Sequence, residues 1–161
     1  MKRPLDRIDE QIIELLQKNA RMSNKELAAQ VGLAPSTCFE RVRRLEEAGI
    51  FLGYHAAVDL KKLGSTLQAM VAVKLSKHGA SVVASFTQHM LSLPEVREVY
   101  HVAGANDFML HIVVKDSDHL RMLVMKDISS RDDIAHVETA LIFEYSRNDL
   151  LPFDMADRGD D

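Results

Sequence analysis

The sequence has a single cysteine, Cys38, and no tryptophan, and its apolar runs are short. One cysteine excludes an intramolecular disulfide framework and any zinc finger built on several cysteines. It also fits a reducing cytoplasm, which is where we expect the protein to be located. Apolar runs such as MVAV and ALIF are too short to span a bilayer, and the opening MKRPLDRIDE lacks the apolar core of a signal peptide. We therefore expect no association with a membrane.

Signatures of catalysis and of metal binding are lacking as well. The chain contains no GxSxG, Walker loop, HExxH or dinucleotide-binding glycine motif, and its seven histidines form no HxxxH or HxH pair. We therefore expect neither an enzyme nor a metal site, and no cofactor is implied. The composition, 47% hydrophobic and 27% charged over 161 residues, is that of a globular protein with one large domain or two small ones.

The net charge of -4 argues weakly against nucleic-acid binding, but the charge is unevenly distributed. Residues 1–50 carry nine Lys/Arg and eight Asp/Glu, whereas the rest of the chain carries 11 basic and 16 acidic residues. Three of the cations in the first part lie within four residues, at Arg41, Arg43 and Arg44. A cluster of this kind can bind DNA even where the domain around it is close to neutral.

Three helices are predicted in residues 1–50. Asp6 is suited to cap the first helix, Ser23 and Glu26 form a capping box for the second, and Pro35 fits the first turn of the third. The second and third helices are predicted to end at the glycines that follow them, Gly32 and Gly49. Helices two and three, joined by a tight turn, are typical of a helix-turn-helix.

The third helix has an inward and an outward side. Its inward stripe holds the small core residue Cys38 together with Val42 and Leu45. The candidate contacts with double-stranded DNA are Ser36, Thr37, Glu40, Arg41, Arg43 and Arg44. The hydroxyl residues can approach base edges or merely cap the helix. The arginines can bind guanine edges or phosphates, or form only a solvated face. Glu40 can accept from cytosine, although pairing with Arg44 one turn later is favoured.

The second half alternates strand and helix patterns in the order βαββαβ, which predicts a ferredoxin-like sandwich. The fold class is therefore α+β, with a helix-turn-helix followed by that sandwich. We predict a DNA-binding domain at residues 1–50, a connecting strand and linker at 51–64, and a ferredoxin-like domain at 65–161. The second domain ends in an acidic tail, DMADRGDD. Apolar residues also occur on the face of the sheet away from the helices, so we expect a partner chain there.

The chain resembles the leucine-responsive/asparagine-responsive (Lrp/AsnC) family of regulators. The resemblance rests on SNKELAAQVGLAPSTCFERVRRLEEAGI followed by GYHAAVD, on the opening LDRID, and on the βαββαβ half. It implies a transcription regulator whose connecting strand, about Ile50–Asp59, pairs with its twin in a homodimer. Such dimers assemble further into tetramers or octamers, and a dimer implies a near-palindromic operator. It also implies that the helix-turn-helix is winged and that residues 65–161 form an amino-acid-sensing and oligomerisation domain. A small effector, typically an amino acid, would then bind where the sensing domains of neighbouring subunits meet.

The resemblance assigns an effector site to the turn AGANDF and to a hydroxyl on the last strand. The candidate effector-binding residues are Gly104, Ala105, Asn106, Asp107 and Thr139. Asp107 would bind the ammonium of the effector while turn amides hold its carboxylate. From chemistry alone, Gly, Asn and Asp in this stretch also suit a plain hairpin turn. Family members often have an acidic or aromatic residue where Ala105 and Asn106 stand here, and often a serine in place of Ala34 before the third helix.

A different class of function remains as the alternative. The ferredoxin-like half would then be a small-ligand carrier or an enzyme, and the helical head would serve only assembly. The arginine-bearing third helix favours the regulator over this alternative.

Overall fold

The computed structural model describes residues 4–64 and 67–146, and the acidic tail lies outside these ranges. The described residues fall into two compact units, residues 4–57 and Val58–Tyr145. Within those ranges, no helix is long and apolar enough to cross a membrane.

The first unit is built from the three predicted helices, α1 (Arg7–Lys18), α2 (Asn24–Gln30) and α3 (Pro35–Glu47). The predicted caps are confirmed. The Asp6 carboxylate accepts from backbone N–H groups of the first turn of α1, and Ser23 and Glu26 cap the start of α2 reciprocally. Ala34 offers no side-chain cap to α3, whose first residue is the predicted proline. Fixed φ and a missing N–H suit proline to this position, so the helix starts there without a capping side chain.

A small apolar core holds the three helices together. Its buried members come from all three, namely Ile12, Ile13, Leu16, Leu27, Ala28, Cys38 and Leu45. Cys38 is fully buried, which confirms its predicted core position, and this burial raises the pKa of its thiol. The turn between α2 and α3 contains Gly32 at φ 68, a conformation that glycine adopts without strain.

The segment after α3 differs from the expected strand. Residues 50–59 form no strand in the single chain, and they are followed by one 3-10 turn at Lys61–Leu63. A strand is defined by a ladder of hydrogen bonds to a neighbour, and a single chain offers this segment none. The segment is anchored at Tyr54, whose hydroxyl donates to Glu46 Oε1 at 2.9 Å. Burial and the Glu46 carboxylate raise the pKa of Tyr54 to about 12.

The second unit is the predicted ferredoxin-like sandwich. Its elements are β1 (Leu67–Leu75), α4 (Ala80–Ser92), β2 (Val96–His101), β3 (Phe108–Val114), α5 (Ser117–Leu123) and β4 (Ile134–Ile142). The strands form one antiparallel sheet in the order β2-β3-β1-β4. The second helix predicted in the βαββαβ half is not α-helical throughout, because α5 continues as one π-helical turn at Val124–Ile128. There the Ser129 N–H donates to Val124 O five residues back, a shift that apolar spacing does not reveal.

The core of this unit lies between the helices and one face of the sheet. Alternate residues of β1 and β3 are fully buried there, among them Val71, Val73, Phe108 and Leu110. Phe86 of α4 packs on Phe108 with 4.4 Å between ring centroids. The other face carries Met70 in register with His111, and Met109 in register with Ala72. His111 is 8% exposed and lies 2.9 Å from Gln68 Oε1 through Nε2.

Candidate nucleic-acid interface and ligand-binding turn

An open depression of about 380 Å³ lies on α3. It is lined by Thr37, Glu40, Arg41, Arg43, Arg44 and Glu47. The structure therefore brings together five of the six residues predicted to contact DNA. The sixth, Ser36, is exposed in the first turn of the same helix. That turn also presents backbone N–H groups, which favour an anion such as a phosphate.

Arg41 and Arg44 are held from behind by α1. Arg41 Nη1 donates to Asp6 Oδ2 at 2.7 Å and to Asp9 Oδ1 at 2.8 Å, and Arg44 Nη2 donates to Asp9 Oδ2 at 2.8 Å. The hydrogen bonds to Asp6 and then Asp9 raise the pKa of the Arg41 guanidinium. The Arg41 side chain is 19% exposed and that of Arg44 42%. Both arginines thus join α3 to α1 as well as lining the depression.

The partner of these arginines, Asp9, was missed as a site residue by sequence reasoning. An acidic residue in the first turn of a helix usually faces water near the positive end of the helix dipole, whereas Asp9 is 1% exposed. The burial of Asp9 was indicated by its spacing from the apolar residues of α1. Asp9 stands on the apolar stripe of α1, three, four and seven residues before Ile12, Ile13 and Leu16. A carboxylate on a buried stripe needs a cationic partner, and within the three-helix unit the arginines of α3 are the candidates for that partner.

Arg43 lies on the outer side of the depression. Its Nη2 donates to Glu40 Oε2 at 2.9 Å, and its Nη1 lies 3.2 Å from Glu47 Oε1. The hydrogen bond that Arg43 donates to Glu40 contributes most to the raised pKa of the Arg43 guanidinium. The expected pairing of Glu40 with Arg44 is therefore wrong. Residues three apart, such as Glu40 and Arg43, and residues four apart, such as Glu40 and Arg44, can both pair on a helix. Here the guanidinium of Arg44 is turned towards Asp9 instead.

The turn between β2 and β3 is the predicted effector site. Gly104 has φ 140, a conformation suited to glycine, and an added Cβ would meet no atom within 4 Å. The Asp107 N–H donates to Val73 O at 2.9 Å, and its carboxylate Oδ2 accepts from the Leu75 N–H at 2.7 Å. His78 Nδ1 lies 3.2 Å from the other oxygen, Oδ1. Asp107 therefore ties the turn to the end of β1, and its other carboxylate oxygen lies beside the exposed His78.

The other predicted effector residues are distributed unevenly. Ala105 is exposed and Asn106 half-buried beside Gly104. Thr139 pairs with Val71 on β1, whereas the Asp107 carboxylate binds at Leu75. Val71 and Leu75 are four residues apart along β1, which corresponds to about 13 Å of strand. The single chain therefore brings the turn residues together but leaves Thr139 apart from them.

The described part of the chain contains no group of three or more His, Cys, Asp or Glu side chains that could hold a metal ion. Its buried histidine, His111, is engaged with Gln68 of β1 and lies 3.7 Å from Glu98 of β2.

Two family models cover most of the chain. A model for winged helix-turn-helix DNA-binding domains matches residues 5–51, and a model for the Lrp/AsnC ligand binding domain matches residues 68–149. The chain belongs to the Lrp/AsnC family of transcriptional regulators. It is a DNA-binding regulator with a helix-turn-helix and a ligand-binding domain. The predicted family and function are confirmed, and the finding favours the regulator over the carrier or enzyme alternative.

Relatives in the Lrp/AsnC family span nearly the whole chain. The transcriptional regulator AldR of Mycolicibacterium smegmatis is 41% identical over 145 residues, which cover 90% of this chain and 85% of that protein. The leucine-responsive regulatory protein of Escherichia coli is 36% identical over 146 residues, with 89% of each chain covered. The agreement extends through both domains and the segment between them.

Solved Lrp/AsnC structures confirm the predicted α+β fold. Escherichia coli AsnC matches with a TM-score of 0.80 at 29% identity, covering 91% of this chain and 97% of its own. A transcriptional regulator from Neisseria meningitidis, solved as a complex with L-methionine, matches with a TM-score of 0.84 at 27% identity. The match covers 90% of this chain and 94% of that one.

Proposed function

We propose that this regulator binds a near-palindromic operator in the cytoplasm as a homodimer or larger homo-oligomer, and that an amino acid controls its assembly. The observation that carries the DNA-binding part is the exposed face of α3. That face places the hydroxyls of Ser36 and Thr37 at the helix tip and three arginines behind them, around one depression. A recognition helix reads base edges with its N-terminal residues, and cations further along contact phosphates or guanine.

The three arginines take different roles in this proposal. Arg43 has a 55% exposed side chain and is the principal outward cation. Arg44 uses Nη2 for Asp9 and keeps its other N–H groups for a phosphate, since a guanidinium has five donors. The Arg41 side chain is 19% exposed and serves mainly to position α3, although the sequence predicted that it contacts DNA. Glu40 lies closer to the helix tip than Arg43, where it can accept from a cytosine amino group.

Replacing Arg43 by alanine is expected to weaken operator binding by about 5- to 150-fold if Arg43 reads a base. If Arg43 contacts only a phosphate, operator and random DNA lose affinity alike, and the slope of log K against log salt falls by about one. Fluorescence anisotropy at several salt concentrations measures both quantities. The probes are the best duplex selected by the parent protein from a random library and a shuffled duplex of equal composition.

Arg121→Ala is the matched control, because Arg121 is also an exposed helical arginine paired with an acid three residues away. Equal affinities of the Arg43 and Arg121 variants for both duplexes would overturn the proposed DNA-binding face. A folded parent protein without any salt-dependent DNA binding would instead favour the small-ligand carrier.

The effector part of the proposal is supported by the ligand-binding domain and by the Asp107 carboxylate at the turn. The Neisseria meningitidis relative was solved with L-methionine, which makes an amino acid a suitable class of ligand. The separation of Thr139 from the turn within one chain fits a site completed by a neighbouring subunit. Exposed apolar residues of the connecting segment, Leu52 at 97% and Val58 at 56%, support its pairing with a second copy.

A thermal-shift screen against the natural amino acids, L-methionine included, tests the effector. A ligand that prefers the native assembly raises the melting temperature, and its stabilisation reaches about 2.7 kcal/mol at a concentration of 100 Kd. Light scattering with and without that ligand then measures the assembly. An effector changes assembly only if it prefers one arrangement of subunits over another. A flat screen over all the amino acids would contradict this part of the proposal.

A further inference from the structure

The recognition face of α3 is not a simple basic patch. Within residues 4–64, its three arginines are paired with four carboxylates, those of Asp6, Asp9, Glu40 and Glu47. The two aspartates lie behind the helix and hold it to α1. The two glutamates lie on its exposed side, where DNA would approach. Carboxylates at such a place repel phosphates, so their presence on the face of a DNA-binding helix needs an explanation.

The geometry of Arg43 suggests one. Glu40 takes Nη2 at 2.9 Å and Glu47 takes Nη1 at 3.2 Å, so each terminal nitrogen of the guanidinium already has a carboxylate partner. All three side chains are between 55% and 63% exposed, and none is fixed by burial. A phosphate that binds the remaining N–H groups of Arg43 must therefore lie close to both carboxylates, which repel it. We refer to Glu40, Arg43 and Glu47 together as the Arg43 clamp.

Base edges are affected differently from phosphates. A G·C pair presents acceptors on guanine and an amino donor on cytosine in the major groove. Arg43 and Glu40 can bind these two groups while their own hydrogen bond persists. A phosphate offers acceptors alone, so it suits Arg43 and is repelled by Glu40. The clamp thus penalises contacts with the DNA backbone more than contacts with a G·C pair.

We propose that the Arg43 clamp is a specificity device that weakens binding to DNA in general and favours sites with a G·C pair facing Glu40. Glu40 has both roles, since it can read the base and repels phosphates. Glu47 lies two turns further from the helix tip and only repels phosphates. The proposal rests on the DNA-binding face assigned above, and its test includes the Arg43 variant so that the two are judged separately.

The test compares Glu47→Gln and Glu40→Gln on the selected and shuffled duplexes over a range of salt. We expect Glu47→Gln to bind shuffled DNA roughly 3- to 10-fold more tightly, with a salt slope steeper by up to about 0.9, because a phosphate at Arg43 is then repelled by one carboxylate fewer. Its gain on the selected duplex should be smaller, so the ratio of the two affinities falls. Glu40→Gln should gain on shuffled DNA and lose on the selected duplex, most of all where that duplex carries G·C at the contacted position.

Asp118→Asn is the matched control, since it removes one exposed carboxylate of an i,i+3 arginine pair from α5 and so makes the same change in net charge. The proposal is overturned if Glu47→Gln and the control bind shuffled DNA with equal affinity and slope. It is also overturned if Glu47→Gln tightens binding to both duplexes equally. If Arg43→Ala changes neither duplex, the DNA-binding face itself fails, which is a different result from failure of the clamp.

Discussion

Replacing Asp9 by alanine is expected to lower the free energy of unfolding by about 2–4 kcal/mol. Asp9 is 1% exposed and accepts hydrogen bonds from Arg41 and Arg44. Removing one partner of a buried ion pair typically costs about 3–5 kcal/mol, because a buried charge is left uncompensated. The lower range is expected here because Arg41 keeps Asp6 and the side chain of Arg44 is 42% exposed, so water screens part of its charge.

The Asp9 variant also tests how α3 is held. Denaturant titration followed by circular dichroism measures the loss of stability, and hydrogen exchange locates it. We expect faster exchange in α1 and α3 and unchanged exchange in the sheet of the second unit. Asp118→Ala provides the control, since its carboxylate is 85% exposed and its removal should cost no more than about 0.5 kcal/mol. A loss for Asp9→Ala as small as that of the control would contradict the positioning role.

DNA binding by Asp9→Asn gives a second view of the same cluster. Asparagine retains an acceptor of similar shape but removes the charge that faces Arg44, while Arg41 still has Asp6. In the proposed arrangement, Arg44 then turns outward, and the salt slope on shuffled DNA steepens. Arg44→Ala in the Asp9→Asn background should reverse that change. A purely structural Asp9 would instead leave the slope unaltered.

The sequence predicted the local structure well because its signals are local. The caps at Asp6 and Ser23, the proline at the start of α3 and the βαββαβ order all follow from neighbours within a few residues. The buried pairing of Asp9 was missed because it joins residues more than 30 positions apart, and charged residues near a helix start usually face water. The π-helical turn of α5 was missed for another reason, since apolar spacing cannot resolve one extra residue.

The same difference between local and long-range contacts explains which parts of the candidate sites were predicted. Residues within one element, such as those lining the α3 depression, were predicted together and are found together. Partners were predicted less well, because Arg43 rather than Arg44 engages Glu40 and the choice depends on Asp9 of another helix. The effector site was predicted least well, because its residues come from separate elements of the chain. The turn at Gly104 forms within one hairpin, whereas Thr139 would need a second subunit to meet it.

Removal of the Asp107 carboxylate is expected to weaken binding of an amino-acid effector by about 10- to 150-fold. A hydrogen bond to a charged group contributes about 1.5–3 kcal/mol, and the ammonium would lose its only anionic partner from the turn. Asp107→Ala also leaves the buried end of β1 without an acceptor for the Leu75 N–H, which adds a cost of about 1–3 kcal/mol in stability. Calorimetry with the amino acid that gives the largest thermal shift measures the affinity.

Two variants separate the ligand effect from the structural one. Asp107→Asn keeps an acceptor for the Leu75 N–H but not the charge, so we expect it to retain most of the stability and still to lose the ligand. His78→Ala removes the 62% exposed imidazole beside Oδ1 and leaves the carboxylate in place. An ammonium must displace His78 to reach that oxygen, so this variant should bind the effector at least as tightly as the parent. Parent-like affinity of Asp107→Asn would show that the turn holds its ligand through backbone amides alone, and the ammonium would then have to be bound elsewhere.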